Sequence, residues 1–314
     1  MITIHTIKDK KIEIIEFSNL ENISYDRIWI DISNITKEES EIIEKKFQIH
    51  HLIIEDLINS MTRIKIEEFS DYLFFVFYAF ENKEKIKLVE LDFILNDKFL
   101  ITNHKNPIDS FEQLKSNFEK LQKVFEKGND FLFHYLIDKE VDEFHPILED
   151  INETIENIEE EIINNPNSEL MSKILSLKRE INKVRKNILA QREKFSYLTK
   201  NNLPFFSRKS LPYFRDVYDH MIRASDLSED LKETITSTYD LYMTTLSNKM
   251  NDIMKVLSIF GAIFLPLGVI SGIYGTNFLH LPGSQNAIGF WLMIFIMLLI
   301  SSSMLIFFRK RKWF

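Results

Sequence analysis

The sequence predicts an α/β body followed by long α-helices and two C-terminal membrane-spanning helices. Three observations lead to this fold class. Short segments rich in Ile, Val, Phe and Tyr occur up to about residue 130, only helical patterning follows from about Asp109, and two long uncharged stretches lie near the C-terminus. The formal net charge of −8 argues against nucleic acid as a partner, because phosphate binding needs a basic field.

Residues 1–146 are predicted to form a cytosolic α/β domain. The segments with the length and composition of β-strands are Lys11–Phe17, Arg27–Asp31, Tyr72–Phe80, Lys87–Leu95 and Phe99–Thr102. Between the last two, Leu95–Lys98 predicts a hairpin turn. Thr36 followed by Glu39 is a capping-box pattern, which predicts a helix that ends near Phe47.

Residues 147–200 carry two helical patterns with opposite charge. Isoleucines spaced from Ile147 to Ile162 form one apolar stripe on an acidic helix, and a second stripe from Ile174 to Ile188 lies on a basic helix. Asn164–Ser168 interrupts the pattern between them. We therefore expect an antiparallel hairpin with complementary faces. The acidic face fits a solvated surface and also fits loose cation binding.

Residues 209–275 predict a stalk helix that continues into a first membrane span, since neither Pro nor Gly occurs between Tyr213 and Gly261. The uncharged stretches Val256–Tyr274 and 287–308 are each long enough to cross a hydrocarbon core of about 30 Å. A buried hairpin in a soluble protein is the alternative.

The basic residues around these stretches predict their orientation. Lys249 and Lys255 precede the first span, residues 309–314 form a basic tail after the second, and the joining loop 276–286 carries no basic residue. By the positive-inside rule, the N- and C-termini are predicted to be cytoplasmic and the loop extracytoplasmic. The N-terminal residues show no signal-peptide pattern.

The first span has a series of residues at alternating steps of three and four. The series comprises Asn251, Met254, Ser258, Gly261, Leu265, Gly268 and Gly272, with Leu257 beside it. Such a series predicts a helix face that packs closely against other helices. The face fits a pore wall in an oligomer, because two spans cannot enclose a pore alone, and it also fits a packing seam without a pore.

At the end of the first span, Tyr274–Phe278 reads YGTNF, which resembles the YGMNF signature of the CorA family of magnesium transporters. Leu211–His220, Ser247–Ile259, Ile263–Gly275 and Arg309–Trp313 are similar to further family segments, in the family's order. The resemblance implies a funnel-shaped homopentamer in the cell (inner) membrane that is not an enzyme. It also implies uptake of divalent cations, Mg²⁺ first, driven by the membrane potential and gated by cytosolic Mg²⁺, without an organic cofactor.

The resemblance assigns roles to individual residues. The selectivity filter would comprise Gly275, Thr276 and Asn277, and the pore and gate positions would be Asn251, Met254, Leu257, Leu265 and Gly268. Asp216 matches the aspartate of a regulatory cation site between subunits. Its partner carboxylate is expected near the end of the Tyr72–Phe80 strand, at Glu81, with Glu84 close by. A surface ion pair with Arg215 or Lys209 is the alternative role for Asp216.

Several residues depart from the family pattern and leave the transported ion open. Thr276 replaces a methionine, Gly268 replaces a threonine, and Leu279–Ser284 contains no acidic residue. His280 fits a preference for a softer ion such as Zn²⁺ or Co²⁺, and it also fits a solvated loop residue. The alternatives are therefore a Zn²⁺, Co²⁺ or Ni²⁺ transporter of the same family, or a poorly conducting, membrane-anchored scaffold that senses cations.

Overall fold

The structure is a computed structural model that describes residues 2–8, 11–22, 24–59, 61–82, 86–201, 203–277, 281–283, 287–311 and 313. The chain divides into two compact units. The first comprises Met1–Glu160 and Ser168–Tyr239, and the second comprises Glu161–Asn167 and Asp240–Phe314.

A mixed sheet, seven-stranded in the described part of the chain, forms the centre of the first unit. Its strands are β1 (Ile2–Lys8), β2 (Lys11–Ile15), β3 (Arg27–Ser33), β4 (Lys65–Glu68), β5 (Leu73–Asn82), β6 (Ile86–Leu95) and β7 (Phe99–His104). They lie in the order β2-β1-β3-β7-β6-β5-β4, with β3 and β7 parallel and every other pair antiparallel. The strands predicted from the sequence are confirmed with small shifts at their ends, whereas β1 and β4 were not predicted.

The helices account for the rest of the regular structure. They are α1 (Lys37–Phe47), α2 (His51–Asn59), α3 (Asp109–Ser116), α4 (Phe118–Phe125), α5 (Asn129–Asp142), α6 (Phe144–Asn164), α7 (Ser168–Lys200), α8 (Leu211–Tyr274) and α9 (Ala287–Lys310). The predicted capping box is confirmed, because Thr36 accepts a hydrogen bond from the backbone N–H of Glu39, and Glu39 accepts one from that of Thr36. The predicted hairpin turn is also confirmed: the Asn96 side chain accepts hydrogen bonds from the backbone N–H groups of Lys98 and Phe99, each at 2.8 Å.

The sheet has a different core on each face, as the alternation of side chains along a strand requires. Aliphatic residues such as Ile30, Val76 and Ile94 pack with Ile53 and Leu57 of α2 on one face. The opposite face is aromatic. Its interacting rings are those of Phe75, Phe77, Phe93, Phe111, Phe133 and Phe195.

Helices α6 and α7 bury the apolar stripes that the sequence predicted. Ile155 and Ile174 are fully buried, as is Ile188. On α7, the Arg185 guanidinium lies 2.9 Å from the Glu229 carboxylate of α8, so the basic face of α7 pairs at least partly with α8.

The second unit contains the apolar part of α8 and all of α9. These two helices are long and apolar enough to cross a membrane, and only 6% and 0% of their most apolar stretches are buried, respectively. A core hairpin of a soluble protein would be mostly buried. The exposure therefore favours membrane spans over a soluble core hairpin.

Candidate ion pathway and cation site

The end of α8 presents the predicted filter residues in an ordered turn. The Gly275 N–H donates to the Ser271 carbonyl at 2.8 Å, which completes the last helical turn. The Ile273 carbonyl accepts both the backbone N–H of Thr276 at 3.3 Å and its hydroxyl at 2.7 Å. The Thr276 hydroxyl thus adds a second hydrogen bond to this helix carbonyl, which a methionine side chain would not supply.

The turn continues with Asn277, whose side chain is exposed. The Tyr274 hydroxyl donates to the Pro282 carbonyl at 3.1 Å and so fastens the loop to the end of the helix. Gly283 has a φ of +82°, and a Cβ on Gly289 would lie 2.1 Å from the Gly283 carbonyl oxygen. The start of α9 therefore approaches this turn more closely than any side chain at position 289 allows.

The predicted pore positions all lie on one uninterrupted helix, which continues through Pro266. Met254, Leu257 and Leu265 are 56%, 62% and 71% exposed, and a Cβ on Gly268 would meet nothing within 4 Å. Asn251 is exposed as well. This face is therefore available for lipid or for further protein, and its role in lining a pore stays a prediction.

Asp216 lies near the start of α8 with its side chain 68% exposed. One turn later, the His220 ring lies between two carboxylates: its Nε2 is 3.9 Å from Oδ2 of Asp216, and its Nδ1 is 3.4 Å from Oδ1 of Asp142 on α5. The predicted alternative paired Asp216 with Arg215 or Lys209. Among the described ion pairs, its partner is His220 instead.

Asp138, Asp142 and His220 form a group that can hold a metal ion, since one ligand atom from each lies within 4.8 Å of the others. Burial raises the pKa of Asp138, and burial also lowers the pKa of its neighbour His134. One oxygen of Asp142 is already 2.7 Å from the Lys139 ammonium. The group offers carboxylate oxygens and an imidazole nitrogen, a donor set that suits Mg²⁺ less well than Co²⁺, Ni²⁺ or Zn²⁺.

Glu81 lies in β5, opposite Lys87 of β6. It lines two cavities that also share Val89 and Asn106, and Asp216 lines neither of them. Among the described contacts, the single chain therefore does not bring Glu81 to Asp216. Glu84 and His280 fall outside the described residues.

Pairs of acidic or histidine residues at i,i+4 spacing are a sequence signal for the side chains that lie near Asp216. Asp138 and Asp142 are one turn apart on α5, and Asp216 and His220 are one turn apart on α8. Sequence reasoning missed the first pair because nothing local relates α5 to α8, which are far apart along the chain.

Comparison with known families identifies the chain. The family model for the CorA-like Mg²⁺ transporter protein matches residues 25–310. The chain belongs to the CorA family. This is a family of transporters rather than of enzymes, and with its two apolar spans the chain is a membrane protein.

Relatives with assigned names agree with the family match. The cobalt/magnesium transport protein CorA of Thermotoga maritima is 33% identical over 290 residues, which cover 91% of this chain and 83% of the relative. The protein of the same name from Methanocaldococcus jannaschii is 28% identical over 100% of both chains. The complete structure of the CorA magnesium transporter from M. jannaschii superposes with a TM-score of 0.86 at 25% identity, over 100% of this chain and 99% of that one. The fold is therefore CorA-like throughout.

Proposed function

We propose that the chain assembles as a homopentamer that conducts divalent cations, Mg²⁺ first, into the cytosol. The observation that carries this proposal is the exposed pair of apolar helices, α8 and α9, in a member of this transporter family. Gly275, Thr276 and Asn277 follow directly after α8. Five copies of α8 would line the pore, and five copies of α9 would face lipid. The flanking lysines and arginines support cytoplasmic termini. Membership of the transporter family supports a location in the cell (inner) membrane.

The proposed filter acts on a hydrated ion through neutral acceptors. Mg²⁺ loses its water reluctantly, so a ring of five Asn277 side chains with the backbone carbonyls of Gly275 and Thr276 would hydrogen-bond to its water shell. Carboxylates at the same place would hold a dication more tightly, whereas conduction requires weak enough binding for release. Thr276 holds the turn in place by capping Ile273.

The proposed gate lies along the same helix. Met254 and Leu257 would form a hydrophobic constriction that closes by dewetting, with Asn251 on its cytosolic side. Leu265 and Gly268 would line the pore between this constriction and the filter. The large exposed fractions of Met254, Leu257 and Leu265 in the single chain support this assignment, because neighbouring copies can cover them.

The membrane potential is sufficient to drive uptake. It contributes about 2.3 kcal/mol per charge per 100 mV, hence roughly 4.6 kcal/mol for a dication. At ~1.4 kcal/mol per tenfold change, this free energy sustains a concentration ratio of about three decades. An organic cofactor is not required.

Regulation would use the carboxylates around Asp216. We infer that Asp216, supported by His220 and Asp142, faces a carboxylate of the neighbouring copy, for which Glu81 is the candidate. Carboxylates that face each other repel until a dication bridges them. Abundant cytosolic Mg²⁺ would therefore bind the subunits together and hold the pore closed.

A second candidate is a transporter with a preference for Co²⁺, Ni²⁺ or Zn²⁺. The imidazole of His220 beside Asp142 favours it, because these ions accept nitrogen ligands more readily than Mg²⁺ does. The third possibility, a cation-sensing scaffold, keeps the regulatory site and conducts poorly.

Proteoliposomes loaded with a Mg²⁺-sensitive dye test these candidates. With an inside-negative potential, we expect Mg²⁺ influx that stops when the potential is collapsed, and native mass spectrometry should show five copies. Competition by Co²⁺, Ni²⁺ and Zn²⁺ ranks the ions in the same vesicles. Absence of potential-driven influx of any of the four would reject the channel and leave the scaffold.

A further inference from the structure

Asp92 is a carboxylate in a position where a central β-strand normally carries an apolar residue. It lies in β6 between Leu91 and Phe93, and it is only 2% exposed. Because alternate residues share a face of a strand, Asp92 lies on the same face as Ile94, which packs in the aliphatic core near Leu57. A buried charge at such a position requires a partner.

The hydrogen bonds of Asp92 satisfy one of its two oxygens. Oδ2 accepts a hydrogen bond of 2.9 Å from the Asn103 side-chain amide, and the same amide donates to the Leu57 carbonyl at 3.1 Å. Oδ1 is buried and has no hydrogen-bond partner among the described residues. Burial, with smaller contributions from Glu90 and Asp56, raises the pKa of Asp92 well above its usual range.

A cavity of about 200 Å³ lies beside this carboxylate. Its polar lining includes Asp92, Asn103, Glu90 and Glu81. The volume is sufficient for several water molecules at ~30 Å³ each. Asp92 therefore faces a space that can hold a ligand, rather than a fully packed core.

One part of the cavity wall favours a cation. Its wall includes Leu57 in the last turn of α2, where the helix has its negative end and no basic residue. Lys65, the cation whose charge acts on Asp92, is engaged by Asp56 at 2.8 Å and by Glu67 at 3.0 Å. Lys87 and Lys105 also line the cavity, and both are exposed to solvent on the surface.

The carboxylate of Glu90 is engaged in hydrogen bonds with the wall of the cavity. Its carboxylate accepts hydrogen bonds from the backbone N–H groups of Met61 and Thr62, the latter at 2.9 Å, and from the Tyr78 hydroxyl at 3.0 Å. These hydrogen bonds hold Met61 and Thr62, which follow α2, against β6. The cavity is a built feature of the fold, and the buried Asp92 carboxyl is part of its lining.

We propose that this cavity binds a hydrated divalent cation, with Asp92 as a ligand. Hard dications prefer oxygen ligands and retain water in protein sites, and this cavity provides a buried carboxylate together with room for that water. The site is formed by one chain, and its ligand Asp92 does not belong to the group of Asp216, His220 and Asp142. It goes beyond the proposed function, because it requires neither a pentamer nor conduction.

Counting bound Mn²⁺ on the full-length protein in detergent by electron paramagnetic resonance tests the proposal. We expect Asp92→Asn to bind one Mn²⁺ fewer per chain than the wild type. Asp216→Asn serves as the matched variant, because it should leave the Asp92 site loaded, and the double variant should lose both contributions. An Asp92→Asn protein that binds as many Mn²⁺ ions as the wild type would overturn the proposal.

Thermal unfolding separates loss of binding from loss of structure. In EDTA, Asp92→Asn should unfold at or above the wild-type temperature, since a neutral amide replaces a buried acid. With Mg²⁺, it should lack part of the wild-type increase in Tm. An increase equal to that of the wild type contradicts the site.

A second variant keeps the carboxylate. Ile58→Phe enlarges a side chain in the cavity wall without touching Asp92, and it should lower the Mn²⁺ count by the same one ion per chain. If Asp92→Asn fails to fold, this variant decides the question: an unchanged count in Ile58→Phe rejects the proposal. Because both readouts measure binding, a failure of conduction in vesicles does not affect them.

Discussion

The two units of the chain differ in how far they bury apolar side chains of the same types. In the first unit, Phe133 and Ile30 are fully buried, whereas in the second Phe264 is 61% and Leu298 62% exposed. The first unit encloses its own core, so its stability comes from removing apolar surface from water. The second unit has to obtain its stability from lipid and, in the proposed homopentamer, from other copies, where packing replaces the hydrophobic effect.

The largest effect on the free energy of unfolding is expected from a truncation in the aromatic core of the first unit. Phe133 packs edge-on against Phe75 and Phe93, with ring centroids 5.8 Å and 5.1 Å away. Phe133→Ala should lower the free energy of unfolding by about 3–5 kcal/mol, because it leaves a cavity among rings that cannot close it. Denaturant unfolding of the full chain in detergent, followed by circular dichroism, measures the change.

Leu298→Ala is the matched truncation in the second unit. Its side chain lies on the unburied surface of α9, so we expect a change of about 0.5 kcal/mol or less. Equal losses for the two variants would mean that α9 has a protein-packed core like that of the first unit.

The next largest effect is expected on Mg²⁺ flux, from a change at Asn277, whose proposed role requires the homopentamer. Asn277→Ala removes five acceptors from the proposed ring at once. At about 0.5–1.5 kcal/mol per hydrogen bond, the loss is at least about 2.5 kcal/mol, which corresponds to a fall in Mg²⁺ flux or selectivity of roughly sixtyfold. Dye-loaded proteoliposomes measure it, with Thr276→Ser, which keeps the capping hydroxyl, as the control. Wild-type flux and ion preference in Asn277→Ala would refute the filter assignment.

A pH dependence is expected from the first unit because it buries ionisable groups. Burial raises the pKa of Glu140 to about 6 from a usual 4.5, against the opposing hydrogen bond from Ser110. The native state therefore favours the protonated form, and this contribution to stability is complete below pH 4.5 and lost as the pH rises through about 6.

Glu140→Gln should remove that dependence. Its free energy of unfolding should match the wild type near pH 4 and exceed it by about 2 kcal/mol near pH 7.5, at 1.36 kcal/mol per pKa unit. Unfolding curves at several pH values check this, and Glu153→Gln on the exposed side of α6 should show no such difference. A gain that is equal at both pH values would point to packing instead of titration.

The smallest expected effect is regulatory. Asp216→Asn should raise the cytosolic Mg²⁺ concentration for half-inhibition by roughly tenfold, within the usual range of coupling between sites. The flux without cytosolic Mg²⁺ should stay unchanged. Asp226→Asn, an exposed aspartate on the same helix, provides the control. Wild-type inhibition in Asp216→Asn would remove Asp216 from the regulatory site.

Sequence patterns predicted the elements whose signals are local. The spacing of Ile147 to Ile162, the capping box at Thr36 and the uncharged spans each follow from one stretch of chain, and the corresponding helices are present. Strand β4 was missed because three of its four residues, Lys65–Glu68, are charged. The segment is too short to show the alternation of apolar and polar residues that predicts a strand.

The candidate sites were predictable only in part because they depend on tertiary contacts. Asp216 was found through its motif, but the approach of His220 to Asp142 depends on the packing of α5 against α8. Likewise, the sequence places Asp92 in a strand but does not indicate that its Oδ1 lacks a partner. The filter and pore residues stay predictions, since a single chain does not enclose a pathway.

The close approach of Gly289 to Gly283 has a consequence for mutational tolerance. Positions outside a packed core ordinarily accept most substitutions, but here even alanine at position 289, near the start of α9, would collide with a backbone oxygen. Saturation mutagenesis should therefore find Gly289 as intolerant of substitution as the aromatic core. In the proposed homopentamer, symmetry would repeat the collision in every copy, so a single codon change would alter five places at once.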